Sequence, residues 1–310
     1  MAVIETEALT KRYGDLEALV DLTVQVSTGV TGLVGANGAG KSTLLKILLG
    51  LLQPTSGSAA VLGHDIRRDG SSIRAVVGYM PEHDCLPPDV RAIDFIVHMG
   101  RVSGLPPAAA RERAADVLRH VGLAEERYRL MGAYSTGMKQ RAKLAQALVH
   151  DPRLVLLDEP TNGLDPEARE DMIALVARIG RDFGIPVLVT SHLLGELERV
   201  SDHVIVLDGG RLLRSQRTTE LTQDTGVLLV EVLGSALEQR RVGEALAAAG
   251  LPCRPRQQLI EIDLRSTARG AAPHDVIRDT ACDLGVGLVR LQPEHGRIQD
   301  VFQPEGRSGG

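Results

Sequence analysis

The chain has 310 residues, of which 43% are hydrophobic, and it carries a formal net charge of −5 at pH 7. This length is generous for one domain and comfortable for two. Tryptophan is absent and aromatic residues make up 2% of the sequence, which argues against stacking platforms for single-stranded nucleic acid. The acidic balance also argues against a general polyanion binder. We therefore predict no nucleic-acid partner.

The sequence also lacks the features of a membrane-inserted chain. No segment approaches the roughly 18 consecutive apolar residues that a membrane-spanning helix needs, and the longest apolar stretch, 44–52, contains Lys46. The N-terminus has neither a basic lead nor an apolar signal core. Cys85, Cys253 and Cys282 lie far apart and are predicted to be reduced structural thiols, as in a cytosolic protein. Any membrane role must therefore come through a partner.

Strands and helices alternate over the first two thirds of the chain. We predict strands at 3–9, 19–26, 30–34, 59–62, 75–79, 154–157, 187–190 and 203–207. We predict helices at 42–52, 108–121, 138–150 and 166–179, within a generally helical region from about 86 to 150. The later strands are apolar throughout, as in parallel strands covered on both faces. The sequence therefore predicts an α/β fold with a mainly parallel sheet.

A second, smaller domain is predicted after a polar run over 214–226. We place the boundary between a domain at 1–215 and a small α/β domain at 216–310. Strands are predicted at 227–233, 259–264 and 287–291, and helices at 236–249 and 273–284. No motif in this second domain indicates a chemistry.

The most specific motif is the run from Gly35 to Thr43, which fits the Walker A pattern. Its glycines let backbone N–H groups turn inward around phosphate oxygens at a helix N-terminus. Lys41 supplies a positive charge to the β- and γ-phosphates, and the Ser42 hydroxyl can ligate Mg²⁺. We predict that the whole loop contacts the nucleotide: Gly35, Ala36, Asn37, Gly38, Ala39, Gly40, Lys41, Ser42 and Thr43.

The apolar strand 154–157 runs into Asp158 and Glu159 in the form of a Walker B strand. Asp158 would hold Mg²⁺ through water. Glu159 is then placed to take a proton from the attacking water. On its own such a strand end is common, but after a Walker A loop it predicts a Mg²⁺-dependent ATPase.

A third motif, Ser135-Thr-Gly137, opens the helix that begins near residue 138. Ser135 could be its N-cap. A capped helix start with a glycine is another anion site. As an isolated motif, however, the run is better interpreted as a plain helix cap.

Taken together, these motifs resemble the nucleotide-binding subunit of an ABC transporter, over about residues 1–215. The run 134–140 resembles the signature loop of that family, with Thr136 and Met138-Lys139 in place of the commoner Gly and Gly-Gln. The resemblance implies a P-loop NTPase cassette with a mainly parallel sheet core, an antiparallel β edge and a helical subdomain at about 86–150. It also implies ATP and Mg²⁺ as ligands.

Single residues extend the resemblance. Tyr13 resembles the aromatic residue that stacks on adenine, Asp165 the D-loop aspartate, and His192 the switch histidine that reaches the γ-phosphate. Glu82 departs from the family, since it occupies the Q-loop position where Gln is usual. A carboxylate there would bind Mg²⁺ more strongly than an amide or carry a raised pKa. Glu82 is therefore expected to be a metal ligand, with a loop-exposed acid as the alternative.

The resemblance also implies partners. Two such subunits, expected to be identical, would meet head to tail with ATP between one Walker A loop and the signature helix of the other. A separate transmembrane permease would be bound at the cytoplasmic face of the membrane. Val90, Ile93, Phe95 and Val97 either line a groove for the permease or form a core face.

The Ser-Thr-Gly-Met signature, the C-terminal extension and a closing helix at 297–302 resemble bacterial drug and lipid exporters. An exporter subunit is therefore the leading interpretation. The alternatives are an importer subunit and a non-transport ABC-type ATPase acting on a ribosomal, DNA or cell-division complex. The ribosome-acting branch usually carries two cassettes in one chain and the DNA-repair branch a long coiled coil, and this sequence has neither.

Overall fold

The computed structural model describes residues 2–221, 224–256, 259–264 and 272–295. The chain divides into two compact units, Met1–Thr218 and Thr219–Gly310, called the N-terminal and C-terminal units below. Across the described ranges, every helix is too short or too polar to span a lipid bilayer.

The N-terminal unit contains strands and helices in alternation. Its strands are β1 (Ile4–Tyr13), β2 (Leu16–Val26), β3 (Val30–Val34), β4 (Ser56–Val61), β5 (His64–Asp65), β6 (Val77–Met80), β7 (Leu154–Leu157), β8 (Val187–Ser191), β9 (His203–Asp208) and β10 (Arg211–Arg217). Its helices are α1 (Lys41–Leu48), α2 (Gly70–Val76), α3 (Ala92–Val102), α4 (Pro107–His120), α5 (Thr136–Leu148), α6 (Pro166–Arg181) and α7 (Leu194–Glu198), and α8 (Thr218–Leu221) lies at the boundary of the units.

Two sheets form this unit. The larger has the order β10-β9-β3-β8-β7-β6, with β10 antiparallel to β9 and the other pairings parallel. The smaller is antiparallel with the order β2-β1-β4-β5. Every residue of β3, β7 and β8 is buried, as expected for parallel strands covered on both faces. The carboxyl ends of these strands therefore meet at one edge of the sheet, where ligands bind in such folds.

Several element boundaries differ from the prediction. Helix α1 ends at Leu48 rather than at residue 52, because Gly50 adopts a left-handed φ of 66° that a helix cannot continue through. The strand predicted at 75–79 is wrong at its start, since residues 75 and 76 close α2. Residues 214–217 of the polar run belong to β10, which follows a turn where Gly209 and Gly210 both have positive φ.

The C-terminal unit is built from β11 (Asp224–Val232), α9 (Ala236–Ala248), β12 (Cys253–Arg256), β13 (Leu259–Asp263), α10 (Pro273–Asp283) and β14 (Leu288–His295). In the described residues its sheet is antiparallel with the order β12-β13-β11-β14, the arrangement of a ferredoxin-like βαββαβ unit. The predicted elements are present within a few residues, and β12 was not predicted. The helix predicted at 297–302 lies outside the described residues. All three cysteines are free thiols; Cys85 and Cys282 are exposed and Cys253 is partly buried.

Candidate active site

The loop after β3 can only be formed by a sequence with glycine at defined points. Gly40 has a φ of 97°, and a Cβ there would collide with the carbonyl oxygen of Ala18 in β2. A Cβ on Gly35 would lie 2.6 Å from the Leu207 carbonyl oxygen. The loop is therefore pressed against the backbones of β2 and β9, and it leads directly into the N-terminus of α1. This is the geometry of an anion nest.

Lys41 is the first residue of α1, and its ammonium group points back into the loop. Its Nζ donates to the carbonyl oxygens of Gly35 at 2.6 Å and Ala36 at 3.3 Å. It also lies 3.1 Å from Oε1 of Glu159, and only 6% of each of these two side chains is exposed. The cation and the carboxylate are thus paired in a nearly dry site, which strengthens their interaction.

The Ser42 hydroxyl donates to Oδ1 of Asp158 at 3.3 Å, and the Thr190 hydroxyl donates to the same oxygen at 2.9 Å. Burial raises the pKa of Asp158, while the bonds from Thr190 and Ser42 act in the opposite direction. A hydroxyl and a carboxylate this close form a hard-oxygen donor set, which fits Mg²⁺. Among the described residues, no group of three His, Cys, Asp or Glu side chains could hold a metal alone.

Glu159 and His192 are brought together from two neighbouring parallel strands, β7 and β8. His192 Nδ1 lies 2.8 Å from Oε2 of Glu159. The Glu159 backbone adopts a left-handed φ of 49°, and its N–H donates to the Thr190 hydroxyl at 2.8 Å. Such a backbone conformation is costly for a residue with a side chain and is maintained by its surroundings. It directs the carboxylate toward both Lys41 and His192.

Glu82 lies in the loop after β6 at the rim of the same site. Its Oε1 accepts a bond from Asn162 Nδ2 at 3.2 Å, and the charge of Glu82 contributes to the raised pKa of Asp158. Lys143 of α5 fixes this loop: its Nζ donates to the carbonyl oxygens of Glu82 at 2.8 Å and His83 at 3.3 Å. Burial lowers the pKa of Lys143. Glu82 is therefore close to Asp158, the candidate metal ligand. In this structure, however, its carboxylate is bonded to the side-chain amide of Asn162.

A cavity of about 370 Å³ is lined by the loop after β3, Glu82 and Glu159, and its size accommodates a small ligand. Tyr13 at the end of β1 forms its outer wall and is 47% exposed, with Lys11 Nζ 5.0 Å from the ring centre. The lining residues are Tyr13, Leu16, Glu17, Ala18, Ala36, Asn37, Gly38, Ala39, Gly40, Lys41, Ser42, Thr43, Glu82 and Glu159. An exposed aromatic ring thus lies at one end of the cavity and the phosphate loop at the other.

Ser135, Gly137 and Asp165 form a second site that does not line this cavity. Ser135 caps α5 by accepting a bond from the Met138 N–H at 3.3 Å, as predicted, and Asp165 caps α6 through the Ala168 N–H at 2.9 Å. A Cβ on Gly137 would lie 3.5 Å from the Ala168 Cβ, so the two helix N-termini are adjacent. Within one chain, the structure therefore separates the predicted signature and D-loop residues from the predicted phosphate site.

Sequence reasoning missed three polar residues of this region: Lys143, Thr190 and Glu196. Each is buried or nearly so and each bonds to a segment distant in sequence. Lys143 left no signal, since the residues one turn away on its helix face, Lys139, Gln140 and Gln146, are also polar. Thr190 and Glu196 left none, because polar residues are usual where a strand ends and a helix begins.

The family model described as "ABC transporter" matches residues 19–162. The daunorubicin/doxorubicin resistance ATP-binding protein DrrA of Streptomyces peucetius is 36% identical over 249 residues, which cover 80% of this chain and 75% of that protein. The Nod factor export ATP-binding protein I of Cupriavidus metallidurans is 33% identical, covering 97% of this chain and 96% of that one. The second alignment thus includes the C-terminal unit.

Among solved structures, the chain is similar to cbiO1 from Clostridium perfringens, which is part of an ABC transporter complex. The TM-score is 0.65 at 26% identity, over 71% of this chain and 90% of that one. A second solved structure, an ATP-binding subunit of an ABC transporter, gives a TM-score of 0.64 at 27% identity, over 77% and 98%. The fold predicted from the motifs, a P-loop cassette with a mainly parallel sheet, is confirmed.

Proposed function

This chain belongs to the ABC transporter family, and from that premise we propose that it is the ATP-hydrolysing subunit of an exporter whose permease is a separate chain. The resemblance to a drug-resistance ATP-binding protein and to a Nod factor export ATP-binding protein supports export as the direction. We assign ATP binding to residues 1–215. The small domain at 216–310 is an accessory to it.

The observation that carries the proposal is the cavity lined by Lys41, Ser42 and Glu159. Asp158 is bonded to Ser42 and His192 contacts Glu159, so both lie directly behind that lining. The loop N–H groups and Lys41 bind the β- and γ-phosphates, and the ring of Tyr13 stacks on the adenine. Ser42 and Asp158, with Glu82 at the rim, hold Mg²⁺, which when bound would offset negative charge on the phosphates.

Glu159 acts as the general base. Its carboxylate takes a proton from the water that attacks the γ-phosphate, and His192 orients that carboxylate through the 2.8 Å contact and reaches the phosphate itself. Burial keeps bulk water away from the carboxylate, so its interactions are stronger than in solution. A general base of this kind contributes about 10²- to 10⁴-fold to a rate.

A second copy of the chain completes the site. The N-termini of α5 and α6, with Ser135, Gly137 and Asp165, lie away from the cavity of their own chain. Helix N-termini attract anions, so we propose that they bind the γ-phosphate held by the other copy. ATP would then hold two identical subunits together, and hydrolysis would release them.

The permease partner binds the helical subdomain at the cytoplasmic face of the membrane. Ile93, Phe95 and Val97 are each partly buried, so apolar surface remains available on α3, the helix that follows the loop carrying Glu82. Movement of that loop on ATP binding would reach the permease through α3. The chain itself does not enter the bilayer, and no nucleic acid takes part.

Mixing two defective copies tests the shared site. Lys41→Ala removes the phosphate cation, and Gly137→Asp adds a negative charge at the N-terminus of α5. Each variant alone should be inactive, whereas a mixture should regain ATPase activity because one site of each mixed dimer is intact. A mixture as inactive as its components would contradict the shared site.

Reconstitution tests the transport function. The full chain is combined in lipid vesicles with the polytopic membrane protein that co-purifies with it from membranes. The ATPase rate should rise on assembly, and a Lys41→Ala chain should assemble without this rise. A rate that stays the same after assembly would contradict coupling to that permease.

A further inference from the structure

Glu196 forms a polar junction behind the catalytic groups. Its Oε2 accepts bonds from the hydroxyls of Thr161 at 2.8 Å and Ser191 at 3.4 Å. Its Oε1 lies 3.1 Å from Nε of Arg169, and only 10% of the Glu196 side chain is exposed. A buried carboxylate is costly unless it is paired and hydrogen-bonded, and here all three partners come from other segments of the chain.

Two of the three partners of Glu196 are close in sequence to residues assigned to the reaction. Thr161 follows the general base Glu159 by two positions, and Ser191 immediately precedes His192. The Ser191 hydroxyl in turn accepts a bond from the Leu193 N–H at 2.9 Å, so the turn that carries His192 is fixed on both sides. One carboxylate therefore connects the two segments whose side chains meet at 2.8 Å.

Arg169 connects the same carboxylate to the interface side of the unit. It lies in the first turn of α6, whose N-cap is Asp165. Its Nη2 donates to the Leu164 carbonyl oxygen at 3.2 Å, while its Nε faces Glu196. Because the guanidinium group is rigid and planar, a displacement of residues 164–165 displaces the charge that faces Glu196.

We propose that Glu196 is a positioning residue that keeps Glu159 and His192 aligned and, through Arg169, makes this alignment depend on the position of the Asp165 loop. This inference rests on the proposed function, in which Asp165 contacts the second copy. When that contact forms, the Arg169–Glu196 pair transmits it to the general base. Hydrolysis is thereby linked to a correctly assembled dimer.

The test uses the full-length protein and measures kcat, KM for MgATP and nucleotide affinity. Glu196→Gln keeps an acceptor for Thr161 and Ser191 but removes the charge that faces Arg169. A misplacement of 1 Å can cost about a hundredfold in rate, so we expect kcat to fall roughly tenfold or more with nucleotide affinity unchanged. The Arg169 side chain is one-third exposed, so Arg169→Gln should lower kcat by the same factor without unfolding the protein.

The matched control is Glu170→Gln, which removes the neighbouring exposed ion pair with Arg199 and should leave kcat and KM unchanged. The double variant Glu196→Gln/Arg169→Gln should be no slower than either single variant, because both changes break one connection. An unchanged kcat in both single variants, a fall in affinity in place of kcat, or additive losses in the double variant would each overturn the inference.

Glu159→Gln, assayed in parallel, separates this inference from the proposed function. If Glu159→Gln abolishes turnover while Glu196→Gln does not reduce it, only the positioning role fails. If Glu159→Gln retains turnover, the assignment of the general base fails, and the positioning role fails with it.

Discussion

The N-terminal and C-terminal units bury different kinds of side chain. Among the described residues, every fully buried polar or charged side chain belongs to the N-terminal unit: Thr6, Thr31, Lys41, Gln140, Lys143, Asp158, Glu159, Thr161, Thr190, Ser191, Ser201 and Thr218. The described core of the C-terminal unit is aliphatic and includes Leu228, Val230, Val242, Leu246, Ile260, Ile262 and Ile277.

This difference distinguishes a unit that buries charged groups at a candidate site from a unit whose described core is aliphatic. Burying an ionised group costs several kcal/mol unless partners replace its water. The N-terminal unit buries Lys41, Lys143, Asp158 and Glu159 within one region, and each has partners there. An aliphatic core needs no such compensation, and it explains why the C-terminal sequence predicted strands and helices but no reaction.

The largest expected effect is on the ATPase rate, when the buried carboxylate of Glu159 is replaced by an amide of nearly the same shape. Glu159→Gln should lower the ATPase rate by about 10²- to 10⁴-fold, since the proton acceptor is lost, while ATP binding is retained and a closed dimer accumulates. Steady-state phosphate release and size-exclusion chromatography with ATP measure the two outcomes. Glu112→Gln, on the exposed face of α4, is the control and should behave as wild type. Phosphate release at the normal rate by Glu159→Gln would contradict the role.

A core substitution in the C-terminal unit should affect folding and leave the reaction intact. Ile262→Ala removes a fully buried side chain of β13 and should destabilise that unit by about 2–5 kcal/mol, whereas Ile262→Val should cost about 0.5–1.5 kcal/mol. Hydrogen exchange of the amides of β13 measures the loss of stability. The ATPase rate per folded molecule should not change, and a parallel fall in this rate would remove the distinction between the units.

Lys143 allows a buried charge to be compared with an exposed one on the same helix. Lys143→Met leaves the carbonyl oxygens of Glu82 and His83 without their donor and should destabilise the N-terminal unit by about 1–3 kcal/mol. Lys139→Met, one turn earlier, breaks an exposed ion pair with Asp84 and should cost at most about 1 kcal/mol. Urea denaturation of both variants tests this order, and equal losses would contradict it.

The smallest expected effect is on how the free energy of unfolding depends on pH. Burial lowers the pKa of His150, whose Nε2 lies 3.3 Å from the Val77 carbonyl oxygen. As the pH falls below the ordinary value of 6.5, the unfolded chain takes up the proton first, so the free energy of unfolding decreases until the folded state is protonated too. His150→Gln should therefore flatten the dependence of stability on pH below that value. An identical slope in the variant would show that His150 does not contribute.

The sequence predicted the parts of the site that are contiguous in the chain. The loop 35–43 and the pair Asp158 and Glu159 are readable because glycine placement and an apolar strand specify local geometry directly. The proximity of His192 followed only from the family resemblance. Lys143 and the loop at Glu82 are 61 residues apart, and no local pattern could reveal that pairing. The end of α1 was misjudged because the apolar pattern continues beyond Gly50, whose left-handed conformation ends the helix.

The close approach of Gly40 to the Ala18 carbonyl oxygen limits which substitutions this sequence can accumulate. Gly210 approaches the same oxygen from the other side, where a Cβ would lie 2.7 Å away. One strand carbonyl is therefore enclosed by two residues that have no side chain, 170 positions apart in the printed sequence. Descendants of this sequence should vary more readily at exposed positions such as Leu16 at the wall of the cavity. A side chain at Gly40 or Gly210, however, should be tolerated only if the backbone of β2 at Ala18 also shifts.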